Sequence, residues 1–381
     1  MSPERAQLAE RMLHIDNEMM DTIYRIFPPW SIERYISVER EIGQGGYGTV
    51  FRGNPTKLGV KCVQGLEAGK TVAVKRIAFG IANQMPEEIG RSLLRVSVAR
   101  HMEFFRLMRA PECSEAGVIK YCAFIVEIPR HVYQVMELLS GPDLFDYLAS
   151  STESIPESTT AVLVRQMVTA IHHLHRRVGI LHRDIKPENF GFVTPFPADG
   201  SQGMPLLKLF DLGLAWVLDE AVTDADAMTM HDVPRGGTPL YMAPEMWQAQ
   251  CGAPSDIWGI GLVAYLLLGL DLPFGLLGST DPRNKITQNS LTFSAGFDDV
   301  SPLARTMVSS MLEKKPESRS TTTEILASPW FAAAAAAQGA ATAVRRNDTP
   351  PPTAFSMAAS RSRRTGESSV WHTVASMSAH V

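Results

Sequence analysis

The spacing of apolar positions changes along the chain and predicts first a helix, then strands, then helices again. In residues 8–27 apolar side chains recur every three or four positions, which indicates an amphipathic helix that ends at Pro28. From Tyr35 to Val74, short β-rich runs alternate with glycine turns and predict strands. The next predicted elements are a helix over residues 86–109 and strands over residues 118–128 and 131–137.

Long helical patterns dominate from about Asp143 onward. Among them, the nearly uninterrupted apolar run from Ile257 to Leu270 is shorter than the roughly 20 residues that a membrane-spanning helix needs, so we interpret it as a buried core helix. A strand-rich first part followed by a helix-rich second part predicts two lobes of different class, with a cleft between them.

The composition narrows the class of protein. Of the 381 residues, 45% are hydrophobic, which is ordinary for a globular protein and excludes global disorder. The net charge of −4 predicts neither a nucleic-acid-binding protein nor a polybasic membrane protein. The N-terminus has no apolar run of signal-peptide length and no membrane span is predicted, so we expect a cytoplasmic protein. Nothing in the sequence specifies an oligomeric state.

The cysteines match no zinc, haem or redox motif. We expect them to be reduced, small core residues. They are Cys62, Cys113, Cys122 and Cys251.

Three glycines lie near the start of the predicted sheet. Gly43, Gly45 and Gly48 have strand-like residues on both sides, whereas the glycine turn of a dinucleotide-binding fold opens a helix. A glycine-rich hairpin lets the backbone approach a polyanion and offer it N–H groups. Lys75, which ends the apolar run from Val72, is an edge charge by itself but becomes a candidate phosphate ligand after such a hairpin.

The segment His182–Asn189 carries the strongest chemical signal. A carboxylate (Asp184), an ammonium group (Lys186) and a carboxamide (Asn189) lie close together in a proline-containing loop. A proton acceptor, a cation for a phosphoryl oxygen and a metal-binding amide are the groups that phosphoryl transfer needs. Asp211 follows an apolar run and adds a carboxylate that can hold Mg²⁺ against phosphate oxygens.

Together with the segment Gly237–Glu245, these motifs occur in the order typical of eukaryotic protein kinases, and residues 36–331 resemble that family. The closing segment Ser328–Phe331 resembles that of calcium/calmodulin-type kinases. The resemblance implies an α+β, two-lobed protein-kinase-like fold, with a small antiparallel β-sheet lobe and a larger, mainly α-helical lobe. It also implies a serine/threonine protein kinase that transfers the γ-phosphoryl group of ATP, with Mg²⁺, to a hydroxyl group of a protein substrate.

The same resemblance implies a role for each motif residue. Asp184 would accept the proton of the substrate hydroxyl, and Lys186 would steady the γ-phosphate. Asn189 and Asp211 would hold Mg²⁺. Asp143 lies where an acid that contacts the ribose is expected. The residues implied to bind ATP are Ile42, Gly43, Gly45, Gly48, Val50, Lys75, Met136, Glu137 and Asp143.

The chain is predicted to have three parts. The tail is rich in alanine, serine, proline and arginine and poor in large apolar residues, so it cannot bury enough surface to fold alone. The predicted parts are an N-terminal helical extension (1–35), a kinase domain (36–331, with an N-lobe of about 36–137 and a C-lobe of about 138–331) and a disordered Ala/Ser/Arg-rich tail (332–381).

Two features depart from the family pattern. In the family, a helix glutamate normally pairs with the phosphate lysine and is followed by apolar residues at fixed spacings. In this chain those spacings place His101 at the glutamate position. Glu103 is the nearest acid and is our working partner for Lys75. Insertions at residues 54–69 and 194–205 are either functional or tolerated surface loops.

The segment that precedes Glu245 is the implied activation segment. Arg183 lies where an arginine often pairs with a phosphorylated activation segment, and Thr229 is the candidate acceptor, with an unmodified segment as the alternative. Thr238 is expected to have a structural role near the catalytic aspartate. Glu245 is expected to pair with Arg319.

Two other functions stay open at the level of sequence. A pseudokinase-like scaffold would hold nucleotide and partners with little turnover; the His101 question and the unusual loops favour it, and the intact Asp184, Asn189 and Asp211 argue against it. A kinase of small molecules is disfavoured by the complete Gly237–Glu245 segment, which in the family docks a peptide substrate.

Overall fold

The computed structural model describes residues 31–45, 48–63, 65–78, 111–127, 131–150, 155–196, 205–218, 221–224 and 226–337. The chain divides into two units: one comprises residues up to Ser114 together with Ile119–Leu138, and the other comprises Glu115–Val118 and the residues from Leu139 onward. The helices predicted at residues 8–27 and 86–109 lie outside the described residues, as do His101 and Glu103.

The first unit is built on a five-stranded antiparallel sheet with the strand order β1-β2-β3-β5-β4. Its strands are β1 (Ile36–Gly45), β2 (Gly48–Pro55), β3 (Val72–Ala78), β4 (Tyr121–Glu127) and β5 (His131–Glu137). Residues from Val132 to Met136 are all buried, as expected for a central strand. The strand predicted at residues 131–137 is therefore confirmed, while the one predicted at 118–128 begins at Tyr121.

The insertion between β2 and β3 forms helix α1 (Lys57–Cys62). Thr56 caps this helix, because its hydroxyl accepts a hydrogen bond from the amide of Gly59 (3.0 Å). The backbone of Gly59 packs against that of Tyr35 so closely that a Cβ atom would lie 2.0 Å from the Tyr35 carbonyl oxygen. After α1, Leu66 enters the same hydrophobic core as Ile36. The insertion is thus part of the core of this unit.

The second unit is mainly helical, and its centre is α5. All residues from Ala253 to Leu268 in this helix are buried, and it packs against α4 and α7. The helices after α1 are α2 (Pro111–Glu115), α3 (Leu144–Ser150), α4 (Glu157–His173), α5 (Ala253–Gly269), α6 (Pro282–Gln288), α7 (Pro302–Met311) and α8 (Thr322–Leu326). The buried helix predicted from the apolar run at Ile257 is confirmed. Of the helices that the structure describes, none has the length and apolar content needed to cross a bilayer.

Short paired strands organise the loops of the second unit. The three antiparallel pairs are β6 (Ile180–Leu181) with β9 (Trp216–Val217), β7 (Phe190–Phe192) with β8 (Leu207–Leu209), and β10 (His231–Asp232) with β11 (Gln250–Cys251). A small antiparallel sheet unit followed by a mainly helical unit confirms the predicted α+β, protein-kinase-like fold class.

The last described helix covers residues 329–337 and runs beyond the domain end predicted at residue 331. Trp330 anchors it, since its indole N–H donates to Glu157 Oε1 of α4 (2.9 Å) and its side chain is 1% exposed. The alanine-rich sequence has a high helix propensity, and Ala334 is buried. Both facts explain why the chain stays helical through residue 337.

The cysteines differ from the prediction at one position. Cys62 ends α1 and is exposed, so the expectation that it is a core residue is wrong. The other three cysteines are buried, and all four are free thiols. Burial raises the pKa of the Cys122 and Cys251 thiols to about 11 and about 12.

Two leucines of the insertion allow its packing to be tested. Leu66 is 5% exposed and Leu58 is 37% exposed. We expect Leu66→Ala to lower the free energy of unfolding by about 2–4 kcal/mol, because it leaves a cavity in the sheet core. Leu58→Ala, the matched control, should change it by less than about 0.5 kcal/mol. Urea denaturation measures both; equal effects of the two substitutions would show that the insertion is a surface loop.

Candidate active site

The predicted site residues fall into two sets, one in each unit. In the first unit, Gly43 and Gly45 end β1, and Gly48 begins β2 with φ at 146°. A Cβ atom on Gly48 would lie 2.3 Å from the Arg76 carbonyl oxygen, so only glycine fits this close approach. Among the residues that the structure describes, none apart from its chain neighbours would lie within 4 Å of a Cβ atom on Gly43.

The strand register brings the next predicted ATP-binding residues onto neighbouring strands. Val50 on β2 is opposite Lys75 on β3, and Lys75 is opposite Gln134 on β5. Lys75 is only 5% exposed, whereas Ile42 on β1 is 40% exposed. The buried lysine is suited to bind a phosphate group. The apolar side chain of Ile42, at the glycine hairpin, is suited to contact a base.

Met136 and Glu137 end β5. Met136 is buried. The Lys120 amide donates to Glu137 Oε1 (2.6 Å), and the Glu137 amide donates to the Lys120 carbonyl (3.0 Å). This reciprocal pair fixes the end of the strand, where the chain passes from the first unit to the second.

In the second unit, the buried carboxylate of Asp256 in α5 holds the loop that carries Asp184. Asp256 Oδ2 accepts hydrogen bonds from the His182 amide (2.8 Å) and from His175 Nε2 (2.8 Å), and Oδ1 accepts one from the Arg183 amide (2.7 Å). Burial by itself raises the pKa of Asp256. The hydrogen bond and the charge of His175, together with the hydrogen bond from the Arg183 amide, outweigh this effect, so the pKa is lowered. These contacts keep Arg183 in a left-handed conformation (φ 72°).

Asp184 accepts hydrogen bonds at both carboxylate oxygens. Its Oδ1 accepts from the amide (2.8 Å) and the hydroxyl (2.8 Å) of Thr238. Its Oδ2 lies 3.2 Å from Lys186 Nζ and 3.2 Å from Asn189 Nδ2. Lys186 Nζ also donates to Thr238 Oγ1 (2.7 Å). Thr238 therefore lies in contact with Asp184, where the sequence predicts it, and its role stays a prediction.

The two predicted metal ligands are brought together by β7 and β8. The Phe210 amide donates to the Asn189 carbonyl (2.9 Å), which places Asp211 beside the end of the segment His182–Asn189, called here the catalytic loop after its predicted role. Asn189 Nδ2 donates to the Asp184 carbonyl (2.6 Å), so its oxygen is its remaining ligand atom. Asp211 adopts φ 58° and accepts from the Gly213 amide. An amide oxygen and a carboxylate are the hard ligands that Mg²⁺ prefers, so this donor set fits the metal.

Asp143, the predicted ribose contact, forms an isolated bridge with Gly191 of β7 and caps α3. The Asp146 amide donates to its Oδ1 (2.7 Å). The pKa of Asp143 is raised to about 6, first by burial and then by the negative charges of Asp146 and Glu188. The hydrogen bond from the Asp146 amide opposes this shift.

The predicted pair of Glu245 and Arg319 is confirmed and is buried. Arg319 Nη1 lies 2.8 Å from Glu245 Oε1, and Nη2 lies 3.2 Å from Oε2, a bidentate arrangement. Ser255 of α5 also donates to Glu245 Oε1 (2.8 Å). The end of the activation segment is therefore tied to the same helix terminus as the catalytic loop.

Arg183 and Thr229 have different surroundings. Arg183 is a buried residue (7% exposed), and its guanidinium donates to the carbonyls of Leu214 (3.1 Å) and Pro234. Thr229 is exposed, and its carbonyl lies close to Gly252. Phosphorylation of Thr229 stays a prediction.

Sequence reasoning gave Asp256 no role beyond the start of a helix. The signal was present, because an acid at the start of a long apolar helix must be satisfied by buried donors. His175 was also missed, since a histidine two positions after another in a helix has no motif of its own.

Comparison with known proteins agrees with this geometry. A family model described as the protein kinase domain matches residues 36–331, most of the chain. The chain therefore belongs to the protein kinase family.

Several curated relatives are serine/threonine or calcium-dependent kinases by name. Calcium-dependent protein kinase 2 of Arabidopsis thaliana is 28% identical over 304 residues, which cover 79% of this chain and 41% of that protein. Death-associated protein kinase 2 of Mus musculus is 28% identical over 308 residues, which cover 80% of this chain and 73% of that protein. Serine/threonine-protein kinase DCLK2 of Rattus norvegicus is 35% identical over 209 residues, which cover 54% and 25%. The chain spans less than half the length of the two plant calcium-dependent kinases that it matches.

The raised pKa of Asp143 predicts a pH dependence of ATP use. A carboxylate accepts ribose hydroxyl protons better than a carboxylic acid does, so ATP affinity should fall as the pH falls through about 6. Between pH 7 and pH 5 we expect the KM for ATP to rise about tenfold through this group. Asp143→Asn should have a higher KM at pH 7 and a flatter profile. Because ATP itself titrates in this range, the quantity to compare is the difference in KM between the wild type and Asp143→Asn at each pH. Parallel KM profiles of the two proteins would contradict the assignment of Asp143 as the ribose contact.

Proposed function

We infer that this protein is an ATP-dependent serine/threonine protein kinase that transfers the γ-phosphoryl group of Mg-ATP to a hydroxyl group of a protein. The observation that carries the proposal is the arrangement around Asp184, whose two carboxylate oxygens are held by Thr238, Lys186 and Asn189. A carboxylate fixed beside an ammonium group and a metal-binding amide is what phosphoryl transfer to a hydroxyl requires.

In this mechanism Asp184 orients the substrate hydroxyl and accepts its proton. Thr238 fixes the carboxylate, and Lys186, 3.2 Å from Asp184 Oδ2, neutralises charge that develops on the phosphoryl oxygens. Asn189 and Asp211 would hold Mg²⁺. When bound, Mg-ATP supplies the transferred phosphoryl group and the divalent charge that stabilises it.

The nucleotide would be held mainly by the first set of residues. The hairpin at Gly43, Gly45 and Gly48 offers backbone N–H groups to the phosphates. Lys75 would contact phosphate oxygens, and the end of β5 at Met136 and Glu137 would contact the base. Further contacts would come from Ile42 and Val50 at the base and from Asp143 at the ribose.

Serine or threonine acceptors are favoured over tyrosine by the contact between Lys186 and Thr238 (2.7 Å). Both residues belong to motifs that resemble those of serine/threonine kinases, and the names of several relatives state that activity. We further propose the organisation expected from the sequence, with a kinase domain at residues 36–331 between an N-terminal extension and a C-terminal tail, except that the last helix of the domain continues through residue 337. Glu103 remains the proposed partner of Lys75.

The test is the turnover of Asp184→Asn beside Asp299→Asn, a matched substitution at an exposed aspartate of the second unit. We expect Asp184→Asn to lower kcat by about 10²- to 10⁴-fold, since the side chain keeps its shape but loses the proton acceptor. ATP binding, measured by calorimetry with Mg²⁺, should remain within about threefold of the wild type. Asp299→Asn should leave both unchanged.

Two outcomes would reject the proposal. Turnover by the purified Asp184→Asn protein at the wild-type rate would mean that another group does the chemistry. ATP binding without turnover in the wild type, with serine, threonine and tyrosine peptides all tested, would favour a nucleotide-binding scaffold.

A further inference from the structure

One turn of the activation segment packs on the second unit near the end of α4. This turn, called here the outer turn, comprises residues 221–224 and 226–230. The Val222 amide donates to the His175 carbonyl (2.9 Å), and the side chains of Val222 and Ala227 are buried. Within the turn, Asp226 Oδ1 accepts from the hydroxyl of Thr223 (2.8 Å). The outer turn is therefore seated on the protein by backbone and apolar contacts.

Arg176, which belongs to none of the kinase motifs, contacts this turn. It lies in the helical turn Leu174–Val178 that follows α4. Its guanidinium lies 3.4 Å from the Val222 carbonyl, forms an ion pair with the Asp224 carboxylate and donates to Thr323 Oγ1 (3.1 Å). The Arg176 side chain is 13% exposed and that of Asp224 is 81% exposed. Because the Arg176 side chain is mostly buried and contacts oxygens of both the outer turn and α8, it links the two even though the Asp224 carboxylate itself is exposed.

Arg183 is the second arginine that contacts the activation segment, and its guanidinium also has protein partners. Its guanidinium binds the Leu214 and Pro234 carbonyls, and its Cζ atom lies 5.9 Å from the ring centroid of Trp216. In segments that phosphorylation orders, the phosphate pairs with arginines. In this chain, protein oxygens already bind both terminal Nη atoms of each of these two guanidinium groups.

We propose that Arg176 is a positioning residue, which pairs with Asp224 to hold the outer turn of the activation segment in place without phosphorylation. The carboxylate of Asp224 supplies at Arg176 the negative charge that a phosphate supplies elsewhere, and the two carbonyls bind the Nη atoms of Arg183. The proposal rests on the proposed function.

The consequence for turnover follows from Thr238. The activation segment continues from the outer turn to Thr238, whose amide and hydroxyl hold the Asp184 carboxylate. Loosening the outer turn therefore disturbs the orientation of Asp184 more than the nucleotide contacts of the first unit. A defect at Arg176 is expected in kcat and in peptide KM, with little change in the KM for ATP.

The test compares the phosphatase-treated full chain with four variants, using hydrogen exchange of peptides that cover residues 221–230 and steady-state kinetics. Arg176→Ala removes the three contacts, Arg176→Lys keeps the charge, and Asp224→Asn removes the ion pair alone. Arg177→Ala is the matched control, because Arg177 is the exposed neighbouring arginine. Only Arg176→Ala and Asp224→Asn should loosen the turn.

In the phosphatase-treated wild type, the outer turn should keep its protection, and kcat should match the untreated protein within about twofold. Arg176→Ala should speed exchange of the turn by about 5- to 10-fold and lower kcat by about 3- to 10-fold, with the KM for ATP within about twofold. Arg176→Lys should restore most of the loss, and Arg177→Ala should behave as the wild type.

Two results would overturn the proposal. One is loss of protection or turnover on phosphatase treatment of the wild type, which would make a phosphate the ordering element. The other is identical exchange in Arg176→Ala and Arg177→Ala. If the wild type has no turnover under any condition, the proposed function fails, and the exchange data alone still decide whether Arg176 orders the turn.

Discussion

The second unit depends on one buried charge, the carboxylate of Asp256. A carboxylate without partners in a protein core costs several kcal/mol, so the backbone around it must supply donors. The amides of His182 and Arg183 and the ring of His175 do so. Asp256 lies in the first turn of α5, where the helix dipole also favours a negative charge. The left-handed conformation of Arg183 is maintained by this requirement, and that conformation turns the following Asp184 toward Thr238.

The same helix terminus holds the other end of the activation segment. Ser255, the neighbour of Asp256, donates to Glu245, which also forms the buried pair with Arg319. Two adjacent residues of α5 therefore fix the catalytic loop and the end of the activation segment relative to each other. Thr238 lies between these two anchors and closes the hydrogen bonds around Asp184. Rigid support of this kind lets a few polar side chains keep the geometry that phosphoryl transfer needs.

Sequence motifs predicted the central site residues because their spacing reflects local loop and strand geometry, as in His182–Asn189 and Gly43–Gly48. The buried α5 was also predictable from its nearly continuous apolar run. The role of Asp256 was not, because its donors come from a loop more than 70 positions earlier in the chain. The contact of Arg176 with Asp224 is likewise non-local, and neither residue lies in a motif. The insertion before β3 gave no sign of α1 or of the burial of Leu66, since both depend on packing against Tyr35 and the sheet.

The most direct test of this account is the kcat of Asp256→Asn, measured on protein whose folded fraction is checked by thermal unfolding. The amide side chain has nearly the same shape but presents an N–H₂ group to a backbone donor, so one of the two amides loses its acceptor. The account predicts a fall in kcat of about tenfold or more, with the KM for ATP within about twofold of the wild type. Wild-type kcat in a folded Asp256→Asn protein would contradict the claim that this buried charge sets the geometry of the catalytic loop.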